Sequence, residues 1–157
     1  MVSPAALALV LVLSAPAWVA AYLETADTSG GRLNGFVQRP REGNLQGVLI
    51  TLDGILRGKP WPGRVARMTF DPGRLAPQLL VARTGQEIEF ANHSQRLHTV
   101  RALELGETLF HVALPLGFGP VKKSFESPGL IEVRCELHDW EEAWIAVLDH
   151  PYFVITD

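Results

Sequence analysis

The second half of the chain is a series of short, strand-like runs separated by Gly, Pro or Asn, and this pattern decides the fold class. Seven such runs occupy residues 78–83, 86–91, 97–103, 109–114, 121–125, 129–134 and 143–148. Several alternate apolar with polar residues, as in Glu87-Ile-Glu-Phe90, and none shows a convincing amphipathic helix pattern. Seven or eight short strands at this spacing predict an all-β sandwich with Greek-key connections.

The first half carries fewer strand signals. Residues 32–38 and 47–53 are strand-like and are separated by a turn-rich segment, so they predict a hairpin. Between residues 54 and 77, Gly and Pro are too dense for a long helix or a central strand. We expect a surface excursion there, with one short strand at residues 65–70.

The N-terminal segment has the features of a secretory signal. Residues 1–21 carry no charged side chain, include an apolar run at 5–13, and end in Val19-Ala20-Ala21, a small-x-small cleavage pattern. This predicts a signal peptide, residues 1–21, cut after Ala21, and a periplasmic or secreted protein. No Lys or Arg precedes the apolar run, so an uncleaved membrane anchor is the alternative.

Length and charge narrow the function classes. The chain of 157 residues suits one domain, and a formal net charge of −3 without basic runs makes nucleic acid an unexpected partner. The sequence has no Gly-x-Ser-x-Gly, no phosphate-binding Gly loop and no His-Glu-x-x-His. We therefore expect no enzyme and no catalytic residues.

Cys135 is the only cysteine of the chain, so it has no internal disulfide partner. In an exported protein, a free thiol must be buried as a small apolar residue or bound to a metal. His138 lies on the same short loop, between the runs at 129–134 and 143–148. A thiol and an imidazole at this spacing can face one point, which favours a metal site.

His98 is the best candidate for a third ligand, since one thiolate and two imidazoles form the ligand set of blue-copper sites. Asn92 can steady the loop before His98 or hydrogen-bond the sulfur. Two other histidines have ordinary interpretations, His93 as a solvated loop residue and reserve ligand, and His111 as a partly buried strand residue. Trp140 can shield the metal or receive a redox partner.

Two segments resemble the cupredoxin superfamily, which includes plastocyanin and azurin. They are Gly85-Gln-Glu-Ile-Glu-Phe-Ala-Asn92 with His98-Thr-Val, and residues 125–140, which contain Cys-Glu-Leu-His-Asp-Trp. The ending at 143–157 is similar to cupredoxin-like methylamine utilization proteins. The resemblance covers residues 65–157 well and implies a single cupredoxin-like domain at 22–157. It also implies a copper ion at one end of the sandwich, bound by residues matching His98, Cys135 and His138.

The chain departs from the family pattern at Glu141, where the resemblance implies a methionine as the weak axial ligand. A carboxylate is a harder ligand than a thioether and is expected to stabilise Cu(II) and lower the reduction potential. Alternatively, Glu141 faces solvent, or the site binds zinc, which accepts Cys, His and carboxylate ligands.

The sequence thus predicts a protein that transfers one electron or holds one copper ion, with a redox partner protein. The alternative is a non-redox binding or structural module whose site is degenerate or binds zinc.

Overall fold

The computed structural model describes residues 10–13, 20–24, 34–38, 47–53, 61 and 63–156. Fourteen strands make up the regular structure of those residues. They are β1 (Val10–Leu13), β2 (Ala20–Glu24), β3 (Asn34–Gln38), β4 (Leu49–Leu52), β5 (Ala66–Asp71), β6 (Arg74–Ala76), β7 (Leu79–Arg83), β8 (Ile88–Asn92), β9 (His98–Glu104), β10 (Glu107–Leu114), β11 (Val121–Lys123), β12 (Gly129–Arg134), β13 (Glu142–Leu148) and β14 (Phe153–Ile155). None of these residues belongs to a helix long and apolar enough to cross a membrane.

The backbone divides into two compact units, residues 59–151 and residues 1–58 with 152–157. The unit at 59–151 contains two sheets. Five strands form one sheet in the order β10-β9-β12-β13-β7, and four strands form the other in the order β11-β8-β5-β6. The pairs β13–β7 and β5–β8 are parallel and the other pairs are antiparallel. The predicted all-β sandwich is confirmed.

One apolar cluster joins the two sheets of this unit. Met68, Phe70 and Phe90 contribute to it from the four-stranded sheet and are fully buried. Val133 and Ile145 contribute from the five-stranded sheet and are also fully buried. Because side chains of a strand alternate between its two faces, one face of each sheet packs in this core and the other meets solvent.

The same alternation carries three polar side chains inward at one end of the five-stranded sheet. His98 begins β9 on the face of Val100, while Cys135 follows β12 on the face of Val133. Glu141 precedes β13 on the face of Ala143 and Ile145. Arg134 pairs with both Arg101 and Glu142, so the end of β12 lies between β9 and the start of β13. The inward positions of the three residues follow from strand periodicity.

The described part of residues 59–151 contains nine strands, β5 to β13, where the sequence predicted seven or eight. The additional strand is β6, which has three residues and is too short to give a pattern. The short strand predicted at residues 65–70 is confirmed as β5.

The other unit corrects the predicted hairpin. β3 pairs with β2, and β4 pairs with β1 and β14. Thr156 continues the pairing of β14 with β4, since its carbonyl accepts from Gly47 N at 2.9 Å and its hydroxyl accepts from Val48 N at 3.0 Å. A local turn signal cannot predict that β4 pairs with a strand about 100 residues later in the sequence. The cleavage point predicted after Ala21 lies within β2, and the signal peptide and the 22–157 domain limits stay predictions.

Candidate metal centre

The loop that carries the sulfur is closed by backbone hydrogen bonds. β12 and β13 end their pairing at Arg134 and Glu142. Beyond that pair, Cys135 N donates to the Glu141 carbonyl at 3.0 Å, and Glu141 N donates to the His138 carbonyl at 3.0 Å. The seven residues from Cys135 to Glu141 therefore form a tight turn whose two ends are held by the sheet.

Four side chains of this region converge on one point. One ligand atom from each of His98, Cys135, His138 and Glu141 lies within 4.8 Å of the others. Cys135 Sγ is 3.5 Å from His138 Nδ1 and 3.8 Å from His98 Nδ1. Glu141 Oε2 is 2.7 Å from His98 Nδ1 and 3.3 Å from His138 Nδ1. The structure thus brings together all four residues named from the sequence.

Burial distinguishes the four side chains from a solvated polar cluster. The side chains of His98 and Glu141 are 1% and 2% exposed, and that of His138 is 13% exposed. Cys135 is 3% exposed. The alternative in which Glu141 faces solvent is therefore wrong. Its direction follows from β13, because positions 141, 143 and 145 share the inward face.

The donor set fits a bound metal ion. Two imidazole nitrogens, one sulfur and one carboxylate oxygen are held together largely away from water, and a metal cation would compensate the buried charge of the carboxylate and of a thiolate. Copper takes imidazole and thiolate ligands, and zinc takes imidazole, thiolate and carboxylate ligands in a tetrahedron. The residues present can hold either metal.

His98 is held from behind by contacts on two sides. Its Nε2 lies 2.6 Å from Ser94 Oγ, and its ring stacks on Phe70 with the centroids 4.6 Å apart. Asn92 steadies the loop between β8 and β9, since its Nδ2 donates to the carbonyls of Arg96 and Leu114 at 2.7 and 2.8 Å. The loop-steadying alternative for Asn92 is thus correct, and its amide bonds these carbonyls rather than the sulfur.

The sulfur receives its hydrogen bonds from Thr99. The Thr99 backbone N lies 3.5 Å from Cys135 Sγ and its Oγ1 lies at 3.9 Å. The same hydroxyl accepts from Glu136 N at 2.9 Å, which ties the start of the loop to β9. The sequence interpretation missed Thr99 and Ser94. For Thr99 one signal existed, namely its position directly after a candidate ligand on the same strand.

The other sulfur and imidazole side chains that the structure describes lie outside this group. His93 is paired with Asp71 at 3.6 Å, and its side chain is 56% exposed. His111 lies 3.2 Å from Glu136 Oε2, and Met68 is fully buried in the core. The structure therefore places His93, His111 and Met68 outside the group of four.

Trp140 covers the rim of the site. Its ring centroid is 5.3 Å from that of His138, and the residue is 63% exposed. The His138 ring in turn lies 4.8 Å from the His98 ring. A line of aromatic rings thus leads from the buried side of the site to the surface.

A scan against protein-family models and a search of curated protein sequences find no match. Solved structures similar to this chain include cupredoxins, as the sequence resemblance implied. A purple cupredoxin from Nitrosopumilus maritimus is 20% identical, with a TM-score of 0.47, 53% of this chain covered and 99% of that chain.

Two further structures show the same level of similarity. Amicyanin from Paracoccus versutus is 11% identical, with a TM-score of 0.48, 57% of this chain covered and 86% of that chain. A copper-containing nitrite reductase from Thermus scotoductus is 18% identical, with a TM-score of 0.46, 60% of this chain covered and 24% of that chain. These similarities concern the fold.

Proposed function

We propose that this chain is an exported copper protein that passes single electrons or holds copper. One copper ion would be bound by His98, Cys135 and His138, with Glu141 as a fourth ligand. The observation that carries the proposal is the meeting of four donor atoms within 4.8 Å of one another at the end of a β-sandwich, three of them on buried side chains and one on the partly buried His138. Copper, when bound, supplies a one-electron change between Cu(I) and Cu(II).

The chain contributes a rigid ligand set. His98 is fixed by Ser94 and Phe70, and the Cys135 backbone is bonded to Glu141. A site held by packed side chains and hydrogen bonds keeps its ligand positions when the charge at the centre changes. Little reorganisation is then required during electron transfer.

Glu141 sets the expected character of the site. Its carboxylate occupies the place where the resemblance implies a thioether, and it faces two imidazole nitrogens. An anionic oxygen ligand favours Cu(II) over Cu(I), so we propose a lower reduction potential than a methionine ligand would give.

Electrons would enter and leave at the His138 end of the site. His138 is the most exposed of the four side chains, and the largely exposed Trp140 lies beside it. A redox partner protein is the proposed partner, and we assign neither nucleic acid nor a catalytic residue.

Addition of Cu(II) to the purified protein tests the proposal. We expect a thiolate-to-copper charge-transfer band in the visible region, which Cys135→Ser and His98→Asn remove. His93→Asn is the matched control, because His93 is a nearby histidine of the same loop region outside the cluster. Circular dichroism should show that all variants fold. Absence of the band from the wild-type protein would contradict copper ligation by Cys135.

A second candidate is a non-redox module that binds zinc, and the buried carboxylate of Glu141 favours it. Zinc accepts this donor set without any redox requirement. Metal analysis of the protein isolated from its native compartment, with competition between Cu and Zn, separates the two. Zinc in the isolated protein together with no copper-dependent band would support the second candidate.

The proposed export has its own test. Mass spectrometry of the protein from the periplasmic or secreted fraction is expected to give Tyr22 as the first residue, since the cleavage pattern ends at Ala21. A membrane-bound form that still contains residues 1–21 would instead support the anchor.

A further inference from the structure

We propose that Ser94 is a positioning residue that holds the ring of His98 with Nδ1 toward the metal centre. This inference rests on the proposed metal-binding function, and it concerns a residue outside the ligand set. Ser94 Oγ lies 2.6 Å from His98 Nε2, and the two residues are 5% and 1% exposed. Water therefore has little access to replace this contact.

The orientation of the Asn92 amide is fixed first. The Ser94 backbone N–H, which can only donate, contacts Asn92 Oδ1 at 2.9 Å. On the other side of the same amide, Asn92 Nδ2 contacts two carbonyl oxygens, those of Arg96 and Leu114. The oxygen of the amide must therefore face Ser94, and it can only accept.

The hydrogen of the Ser94 hydroxyl is assigned next. A serine hydroxyl has one hydrogen to donate and two lone pairs to accept with. It lies 2.9 Å from Asn92 Oδ1, an acceptor, so its hydrogen is donated there. One lone pair accepts from Arg96 N at 3.1 Å. The remaining lone pair faces His98, so His98 Nε2 must carry a hydrogen and donate it.

This assignment determines the function of the opposite nitrogen. With the hydrogen on Nε2 bound to Ser94, the His98 Nδ1 atom faces Cys135 Sγ at 3.8 Å and Glu141 Oε2 at 2.7 Å. A flip of the ring would place carbon against the Ser94 hydroxyl and remove Nδ1 from the cluster. Phe70, stacked on the ring, keeps it in the plane that satisfies both contacts. Outer groups of this kind typically change metal affinity by about 10- to 100-fold.

Nitrogen NMR of the His98 ring tests the inference without any metal. In the metal-free wild-type protein we expect a hydrogen on Nε2 that exchanges slowly with water. In Ser94→Ala, that hydrogen should exchange faster by at least about tenfold. Ser124→Ala is the matched control, since Ser124 is an exposed serine bonded to Glu126 and distant in sequence from the site. A wild-type ring with no hydrogen on Nε2 overturns the inference, whether or not the Ser94 variant folds.

Metal binding gives the second readout. In the zinc-loaded wild-type protein, we expect Nδ1 of His98 to be the metal-bound nitrogen, and we expect Ser94→Ala to weaken zinc affinity by about 10- to 100-fold. Unchanged affinity and unchanged Nε2 protection in a folded Ser94→Ala variant would also overturn the inference. If neither zinc nor copper binds the wild-type protein, the proposed function fails, while the metal-free measurement still decides the role of Ser94.

Discussion

The Glu141 carboxylate lies 2.7 Å from His98 Nδ1, and both side chains are almost completely buried. The same oxygen is 3.3 Å from His138 Nδ1, so it contacts both imidazoles of the cluster. A carboxylate in this position is part of the site rather than its border. This contact distinguishes the chain from the ligand set of a blue-copper site, in which a thioether is the fourth group.

Substitution of Glu141 is expected to change the metal affinity and the reduction potential of the site. Glu141→Gln keeps the shape and removes the negative charge, so affinity for Cu(II) and Zn(II) should fall by at least about tenfold. Glu141→Met should raise the reduction potential and strengthen the visible band, because a soft ligand favours Cu(I). Metal titration measures the affinities. Potentiometric titration followed by absorbance measures the reduction potential and the visible band.

Glu142→Gln is the control for these variants, because Glu142 is the adjacent glutamate and is exposed. It should bind metal as the wild-type protein does. If the two Glu141 variants match this control in affinity and in potential, Glu141 is not a ligand.

Thr99 is expected to affect both the stability of the protein and the reduction potential of the site, through its hydroxyl. Thr99→Val keeps the backbone contact to Cys135 Sγ but removes the hydroxyl, which leaves Glu136 N without its acceptor. We expect a loss of about 1 kcal/mol in unfolding free energy. The reduction potential should also fall slightly, since a thiolate with fewer hydrogen bonds favours Cu(II).

Thr99→Ser retains the hydroxyl and should keep both properties near their wild-type values. Chemical denaturation and redox titration of the two variants provide the comparison. Wild-type stability and potential in Thr99→Val would show that the hydroxyl contributes nothing to the site.

The residues of the site differ in how far the sequence predicted them. Cys135 and His138 were found from residue type and spacing, and His98 from its type and its place after a loop. Glu141 was named from the family pattern, while its inward direction follows from the alternation it shares with Ala143 and Ile145. Local periodicity predicts such faces well.

Contacts between distant segments were not predicted in the same way. Serine is common in loops, so Ser94 gives no signal in the sequence. Only the folded path of residues 92–98 brings its hydroxyl to Nε2 of His98. β4 was predicted to pair with its neighbour in sequence, yet Val48 beside it bonds Thr156, which lies 108 positions later. Local sequence patterns predict where strands lie and which of their side chains face inward. They do not predict which strands pair, because pairing depends on long-range packing.

Phe70 and Phe90 form a matched pair that separates stability from metal binding. Both are fully buried in the four-stranded sheet, but Phe70 stacks on His98 while Phe90 contacts Phe110 edge-on. Phe70→Leu and Phe90→Leu should each lower the unfolding free energy by roughly 0.5–3 kcal/mol. Only Phe70→Leu should also weaken zinc or copper binding, since only it loosens a ligand. Equal metal affinity in the two variants would contradict support of His98 by Phe70.

Trp140 is expected to affect electron exchange rather than folding. Its exposed ring lies beside His138, so it provides contact area at the point where electrons would leave the site. Trp140→Ala should slow electron self-exchange by about tenfold, which corresponds to about 1.4 kcal/mol of lost contact energy. Line broadening in NMR spectra of mixed Cu(I) and Cu(II) protein measures this rate.

Trp144→Ala is the control for Trp140. Trp144 is a partly exposed tryptophan of β13 whose position alternates with the inward-facing Ala143 and Ile145, so its ring lies on the outer face of the five-stranded sheet. Its removal should leave the exchange rate unchanged. A wild-type rate in Trp140→Ala would exclude this side chain from the electron route and leave shielding of the site from water as its role. Faster solvent exchange of the His138 ring hydrogen in that variant would then identify the shielding role, because Trp140 is the exposed ring beside His138.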